Sequence, residues 1–498
     1  MSSHMSEGRD PTISDEGHHE AAGLATRTLG AWQIVALALA SQTPAVALVT
    51  VPFLLVVTAG NGSWLGALMA AAATGCVGIA VITFARRYVV TGSLYSYVSY
   101  VFGPWARLLV GASLLLGYVA LIAGVLLLTG IFAASFVAAI GVHLALGDGG
   151  ITLFAVLAMV ISAALAYRGL DASVRTAVVL TVATLPIVLL ITIATALHTG
   201  LALGDQFSLH DVTWGGVFQG AAAGGVFLVA FESSAALAVE TRHPKRSVPL
   251  AVMCIPIVLG SAYMLAAVMQ VPGLKAASDA LNEGGSPAAV LAEQAGLGTG
   301  LATATDLVLA VANIASLIAF VNYGSRFVAT LATDGLLPAA MAKVHPRHRS
   351  PHVAIIGLSA LASVLLLVLV RLFPDDLLTH VFPAISTLTV YMWIIPWALV
   401  CIGCVVLVVR ERRARPALIA AVVVGAAGML WIYVNGLVNE PAPPVNAMSY
   451  VCLIAAGAVF GLFFVLDLRR RRRSAAGEQT ASSSAGTAGA RAHSSDGL

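Results

Sequence analysis

Charge is what this sequence has least of. Asp, Glu, Lys and Arg make up 10% of its 498 residues, while 59% are hydrophobic. An ordinary soluble domain carries roughly 25% charge. Too few polar groups exist to cover a water-soluble globule of this size, so a cytosolic enzyme is excluded and a multi-pass membrane protein remains. The formal net charge of +3 is too small to point to nucleic acid. Cysteine is scarce and odd in number: Cys76, Cys254, Cys401, Cys404 and Cys452 all lie in apolar runs, which argues against a disulfide framework. Cys401 and Cys404 sit inside a hydrophobic helix and read as small packing residues. None of the twelve histidines falls mid-membrane and no ligand cluster is visible, so neither a metal site nor a cofactor is expected. There is no phosphate-binding loop, nucleophile elbow or metalloprotease motif, which leaves enzymatic and ATP-driven readings unsupported. Residues 1–24 lack an apolar stretch, so no cleavable signal peptide is expected.

What the chain does have is long apolar runs. Twelve can be counted, at roughly 31–59, 63–85, 105–138, 151–167, 173–197, 214–239, 248–271, 303–325, 352–370, 379–409, 417–437 and 447–468. Each is about the length needed for a helical crossing. Every second loop is basic: Arg86 and Arg87, then Arg168 and Arg175, then Arg242, Lys245 and Arg246, and so on to the run Arg469–Arg473. The other loops offer only Lys275 and Arg371. That alternation predicts twelve crossings of the cytoplasmic membrane with both termini inside. The final run serves either as a stop-transfer anchor or as a site for anionic headgroups of the lipid bilayer. The tails, 1–24 and 474–498, read as disordered and cytoplasmic.

Two segments are wrong for ordinary spanning helices. The first carries Ser41-Gln42-Thr43-Pro44 halfway along, and proline removes a backbone donor and clashes with the turn before it. The sixth combines Gly220, Gly224 and Gly225 with Glu232. Free backbone groups at that depth are tolerated only around an enclosed cavity. Interrupted helices at corresponding places in two halves point to a transporter's central site; taken singly, each is equally a kink or a close-packing device. Glu232, the clearest carboxylate within a span, marks function by default. It either carries a proton or gates, or it is a permanently neutral acid tying its helix to a neighbour.

Residues 231–250 then give a specific pattern: Phe231-Glu232, Glu240-Thr241-Arg242, Pro244 and Pro249. This resembles the helix-6 motif of the amino acid–polyamine–organocation (APC) superfamily of permeases. Thr91-Gly92-Ser93 with Phe102-Gly103-Pro104 is similar to the family's entry to helix 3. Tyr167-Arg168-Gly169-Leu170 is similar to its helix 4–5 loop, and Asp334-Gly335-Leu336-Leu337-Pro338 to the loop after helix 8. The resemblance covers about residues 27–470. It implies an all-α, LeuT-type fold with a 5+5 inverted repeat and discontinuous helices 1 and 6, a transport core over 25–410, and two peripheral helices over 411–473.

The resemblance also implies where chemistry happens. A substrate carboxylate would lie at the helix-1 break, Ser41, Gln42, Thr43, Pro44 and Ala45, and its ammonium against the carbonyls of Val229, Ala230 and Phe231. Tyr118, Phe227 or Phe231, and Phe320 would shape the pocket, and Glu240, Arg242 and Arg326 would form an inner gate. Two departures stand out. The family's Gly-Ser-Gly at the helix-1 break is here Pro44-Ala45-Val46, and its proton-coupling lysine on helix 5 is here Thr184. The expected function is secondary active transport of a neutral or hydrophobic amino acid by proton-coupled symport. The alternatives are amino acid/amine exchange, polyamine transport, or a receptor that keeps the fold without transporting.

Overall fold

The computed structural model of the chain describes residues 29–143, 147–210, 212–282, 286–373, 377–413 and 415–492. The first expected tail, 1–24, and residues 493–498 of the second lie outside the described residues. In chain order the helices are α1 (Ala31–Ser41), α2 (Pro44–Ala59), α3 (Ser63–Ala85), α4 (Leu94–Ser99), α5 (Pro104–Ala139), α6 (Asp148–Tyr167), α7 (Leu170–Thr199), α8 (Leu203–Ser208) and α9 (Trp214–Gly224). They continue with α10 (Pro244–Cys254), α11 (Gly260–Ala276), α12 (Ser278–Asn282), α13 (Pro287–Gln294), α14 (Thr299–Thr333), α15 (His352–Leu372), α16 (Phe382–Arg410), α17 (Pro416–Val438) and α18 (Met448–Ala492).

Among the described residues, eleven helical stretches are long and apolar enough to cross a membrane, against the twelve crossings expected. The difference lies in the first stretch, Ala31–Ala85, which is 55 residues long. At about 1.5 Å per residue it would measure roughly 80 Å as one rod, far more than a hydrocarbon core of about 30 Å. It is not one rod. α2 stops at Gly60, whose φ of +52° suits glycine, and after the turn Gly60–Gly62 α3 packs against α2.

Burial sorts the helices. The fifth stretch, Trp214–Leu237, which is the sixth apolar segment of the sequence, has 94% of its apolar window buried, whereas the last two, Pro416–Val438 and Val445–Arg472, have 22% each. The broken sixth segment therefore runs through the middle of the bundle, and α17 and α18 lie at its edge. Large apolar side chains on the outside, such as Leu153, Leu197 and Ile454, suit contact with lipid.

The end of the molecule that carries the basic loops is tied by ion pairs. Arg87 grips Glu411 through Nε (3.0 Å) and Nη2 (2.6 Å), and this guanidinium holds the Glu411 carboxyl below the usual carboxylate range. Asp334 takes Arg107 at 3.1 Å and the Tyr95 hydroxyl. The terminal basic run takes part as well: Arg471 pairs with Asp467 at 2.7 Å, and Arg470 donates to the Asp334 carbonyl. Two of its arginines are thus spent on protein groups. α18 is helical to Ala492.

Candidate functional site

The first helix breaks where the sequence says it must. Pro44 cannot donate to the turn before it, so α1 ends at Ser41 and α2 starts with Pro44 in its first position. Thr43 between them takes the left-handed conformation (φ +41°, ψ +63°), a strained choice for a β-branched residue. α2 has no side-chain cap, so the N–H groups of Ala45 and Val46 point into the break without an intrahelical partner. On the other side, the Ser41 carbonyl accepts from Ser316 Oγ at 2.6 Å.

The sixth segment unwinds over a longer stretch. α9 ends at Gly224, a tight turn follows over Gly225–Leu228, and Val229 is extended. Ala230 then adopts φ +59°, which reverses the chain before a second tight turn over Ser233–Leu237. Two carbonyl oxygens face one end of the Gln42 carboxamide, so that end is its nitrogen. Gln42 Nε2 donates to Phe227 O at 2.8 Å and to Val229 O at 3.3 Å. One break is thereby latched to the other.

Glu232 follows the unwound stretch and is 1% exposed. Its two carboxyl oxygens each accept an indole N–H, from Trp393 at 2.8 Å and Trp397 at 3.2 Å, both on α16. Beside it, the Tyr118 and Ser233 hydroxyls lie 2.6 Å apart, and the Tyr118 ring packs edge-on to Trp393 at 5.1 Å.

A chamber lies between the breaks. Ser41, Gln42 and Thr43 form one wall and Val226 and Phe227 another. Three helices close it, each presenting one face: Leu121, Gly124, Val125 and Leu128 on α5; Asn313, Ser316 and Phe320 on α14; Phe382, Ile385, Ser386 and Thr389 on α16. Those spacings are helical stripes. The space open to the centre of a water molecule is about 30 Å³, room for about two waters. The lining is mostly apolar, but Asn313 Nδ2 and Ser386 Oγ, each on a residue 1% exposed, have no hydrogen-bond partner among the described residues. Buried polar groups are seldom left so.

A second space of about 480 Å³, toward the Gly60–Gly62 end of α2, is lined by Phe53 of α2, Gln219 and Ala223 of α9, and Pro383 and Thr387 of α16, among others. Phe227 and Phe382, both in the chamber wall, have ring centroids 6.5 Å apart. The opposite, basic end is shut. Leu29 bridges to the chain at Thr241 through Leu29 N–Glu240 O and Arg242 N–Leu29 O, both 2.9 Å. Arg326 grips Glu240 through Nε (2.6 Å) and Nη2 (3.0 Å), both side chains 1% exposed. Asn322 supports the arginine through its carbonyl and its Oδ1.

The expected site residues thus divide. Ser41, Gln42, Thr43, Phe227 and Phe320 line the chamber, with Pro44 and Ala45 opening α2 at its edge and Val229 offering its carbonyl. The Ala230 carbonyl is taken by Ser233 N–H at 2.9 Å, and Phe231 packs on Trp397, so neither lines the space. Tyr118 is held by Ser233 outside the lining. Thr184 donates to Leu180 O in its own helix at 2.8 Å. Glu240 and Arg326 meet, whereas Arg242 is exposed and contributes its backbone rather than its charge. Asn313, Ser316 and Ser386 went unnoticed. Their signal was available, as polar residues on the faces of two strongly apolar segments, Asn313 and Ser316 sharing theirs with Phe320.

Comparison with known proteins gives the family and the fold. A family model described as amino acid permease matches residues 29–463. The branched-chain amino acid permease BcaP of Bacillus subtilis (strain 168) is 27% identical over 310 residues, 60% of this chain and 65% of that protein. The protein of the same name from Lactococcus lactis subsp. cremoris (strain MG1363) is 25% identical over 358 residues, 68% and 73% of the two chains. The match therefore spans just under two-thirds of the length of the Bacillus relative. Among solved structures, a Na+-coupled sialic acid symporter in its substrate-bound outward-open state superposes with a TM-score of 0.56 at 14% identity, covering 84% of this chain and 90% of that one. That likeness is one of fold: an all-helical, LeuT-type membrane protein.

Proposed function

Since the chain belongs to the amino acid permease family, we propose that it is a secondary active transporter that carries a neutral, hydrophobic amino acid across the cytoplasmic membrane by alternating access. The observation that carries this reading is the meeting of two broken helices across a small chamber. The N–H groups of Ala45 and Val46, in the first turn of α2 at the chamber's edge, have no intrahelical acceptor, and a helix dipole there favours an anion. The carbonyls of Phe227 and Val229 face in from the sixth segment and suit a cation. A zwitterion presents both. Fixed dipoles do this without buried counter-charges, whose desolvation would cost several kcal/mol each.

The chamber walls favour an apolar side chain, since Leu121, Val125, Phe320 and Ile385 dominate them and no lysine, arginine or acid lines the space. The relatives named as branched-chain amino acid permeases support the same class. The basic end is assigned to the cytoplasm by the positive-inside rule. In this arrangement Glu240–Arg326 holds the inner gate shut, and Phe227 and Phe382 in the chamber wall are the candidates for the outer gate. The chamber is too small for leucine as it stands, so binding must widen it. Proton coupling is the preferred energetics. Glu232 supplies the exchangeable acid, and among the described residues no lysine or arginine pairs with it.

The test is uptake of labelled L-leucine into proteoliposomes under an inward proton gradient. Saturable accumulation that a protonophore collapses supports the reading. Accumulation driven by sodium alone removes the proton, exchange without net uptake makes the protein an exchanger, and binding without flux makes it a receptor.

A further inference from the structure

Gln42 occupies the place that the transport reading gives to the substrate's ammonium group. Its Nε2 donates to Phe227 O at 2.8 Å and Val229 O at 3.3 Å. Among the described residues nothing else donates to either carbonyl, whereas the neighbouring carbonyls of Val226, Ala230 and Glu232 are satisfied by Val229, Ser233 and Ala235 N–H. The two oxygens left open by the unwinding of the sixth segment are therefore the two that Gln42 covers. We propose that Gln42 is a built-in stand-in for that ammonium group, and that an amino acid binds by displacing the Gln42 carboxamide from these carbonyls.

The chemistry of the exchange is favourable. A carboxamide offers two N–H groups and no charge, whereas an ammonium offers three and a full charge, and charge-assisted hydrogen bonds are roughly twice as strong as neutral ones. The side chain can leave because, apart from the two carbonyls, the carboxamide has one long contact of 3.3 Å, to Ser41 Oγ. It can also return, because it is tethered next to Thr43. Without ligand the latch keeps two unwound segments from exposing bare carbonyls in a water-poor chamber, where each would cost free energy. With ligand the latch opens, which frees the α1 break from the unwound stretch and enlarges a cavity that has room for about two waters. A carboxylate without an amine lacks the donor needed to open it. Selection for a free α-amine would thus come from Gln42, beyond what the chamber's shape provides.

This inference rests on the reading that the sixth-segment carbonyls receive the ammonium, and one experiment separates the two. The full-length protein, with Gln42→Met (similar length, no N–H) and Gln42→Asn (an amide one methylene shorter) as variants, is titrated with L-leucine and with its deaminated analogue 4-methylpentanoate. Proper folding of each variant is checked by size-exclusion chromatography, and the two variants report independently. The expected result is that wild type prefers leucine, and that both variants bind leucine about five- to tenfold more tightly while their weak affinity for 4-methylpentanoate does not change. Leucine affinity that is unchanged or weaker in the variants overturns the stand-in role and leaves the site reading intact. Equal tightening for both ligands overturns it too, since space rather than the donor would then matter. If wild type does not distinguish the two compounds, or binds neither, the carbonyls do not receive an ammonium and both readings fall.

Discussion

Removing the charge of Glu240 should open the basic end of the molecule. The pair it forms with Arg326 is bidentate, with contacts of 2.6 and 3.0 Å, and both side chains are 1% exposed. Stripping one partner from such a pair typically costs about 3–5 kcal/mol, because the other charge stays buried. Glu240→Gln belongs at the low end, since the glutamine keeps one acceptor and Arg326 Nη1 still reaches Asn322 at 3.0 and 3.1 Å. When the gate opens, both groups are hydrated, so the cost falls on the closed state alone. About 3 kcal/mol shifts the closed–open equilibrium by roughly a hundredfold. Thr241, next to the gate, is fully buried and reports on this shift. With Thr241→Cys in a background whose five native cysteines are replaced, an impermeant maleimide added to inside-out vesicles should label Glu240→Gln about a hundredfold faster. Exchanging the two charges, Glu240→Arg with Arg326→Glu, should restore part of the protection. Labelling of Glu240→Gln within threefold of the parent would refute the pair as a gate, whatever happens to uptake.

Other consequences can be checked alongside. A Cβ at Gly117 would stand 2.5 Å from the Trp393 ring; Gly117→Ala should therefore shift that indole, cost about 1–3 kcal/mol in overpacking and depress uptake, read by thermal unfolding and flux. Asn313 Nδ2 is buried without a partner, so Asn313→Leu should raise ligand-free stability by about 1–2 kcal/mol and shrink the thermal shift given by leucine; a destabilised variant would argue against an unsatisfied amide. Glu232→Gln places an amide N–H against one of two indole donors, so it should lose the pH dependence of accumulation and hold its neighbours less well. Adding Trp397→Phe removes the opposing N–H and should recover leucine binding, whereas a pH dependence that survives in Glu232→Gln would remove this residue from coupling.

Much of this was legible because the bilayer simplifies the problem. Apolar runs had to be helices, and the basic loops gave their alternation. Pro44 and the glycines around 220–225 gave the two breaks, since backbone chemistry at those residues does not depend on distant partners. Side-chain destinations were less legible. Tyr118 and Phe231 lie on the right helices but turn to Ser233 and Trp397, because the rotation of each helix is set by packing that no single segment encodes. The indoles that hold Glu232 lie more than 160 positions away along the chain. Gln42 could be placed at the break from sequence, but its role required knowing which carbonyls the sixth segment leaves open.

That role also explains why a neutral amide suits position 42. The break needs a group that covers two carbonyls when the site is empty and yields them when a substrate arrives. A lysine would meet the first need too well, since its own ammonium would bind as strongly as the ligand's and would not leave. An alanine would meet only the second and leave bare oxygens in a nearly dry chamber. The same logic runs through the rest of the site. Ser316 covers the Ser41 carbonyl at 2.6 Å, while the one ion pair with both side chains 1% exposed among the described residues stands at the gate and outside the chamber lining. Weak, replaceable hydrogen bonds are kept where ligand must compete, and the strong pair is kept where the protein must stay shut.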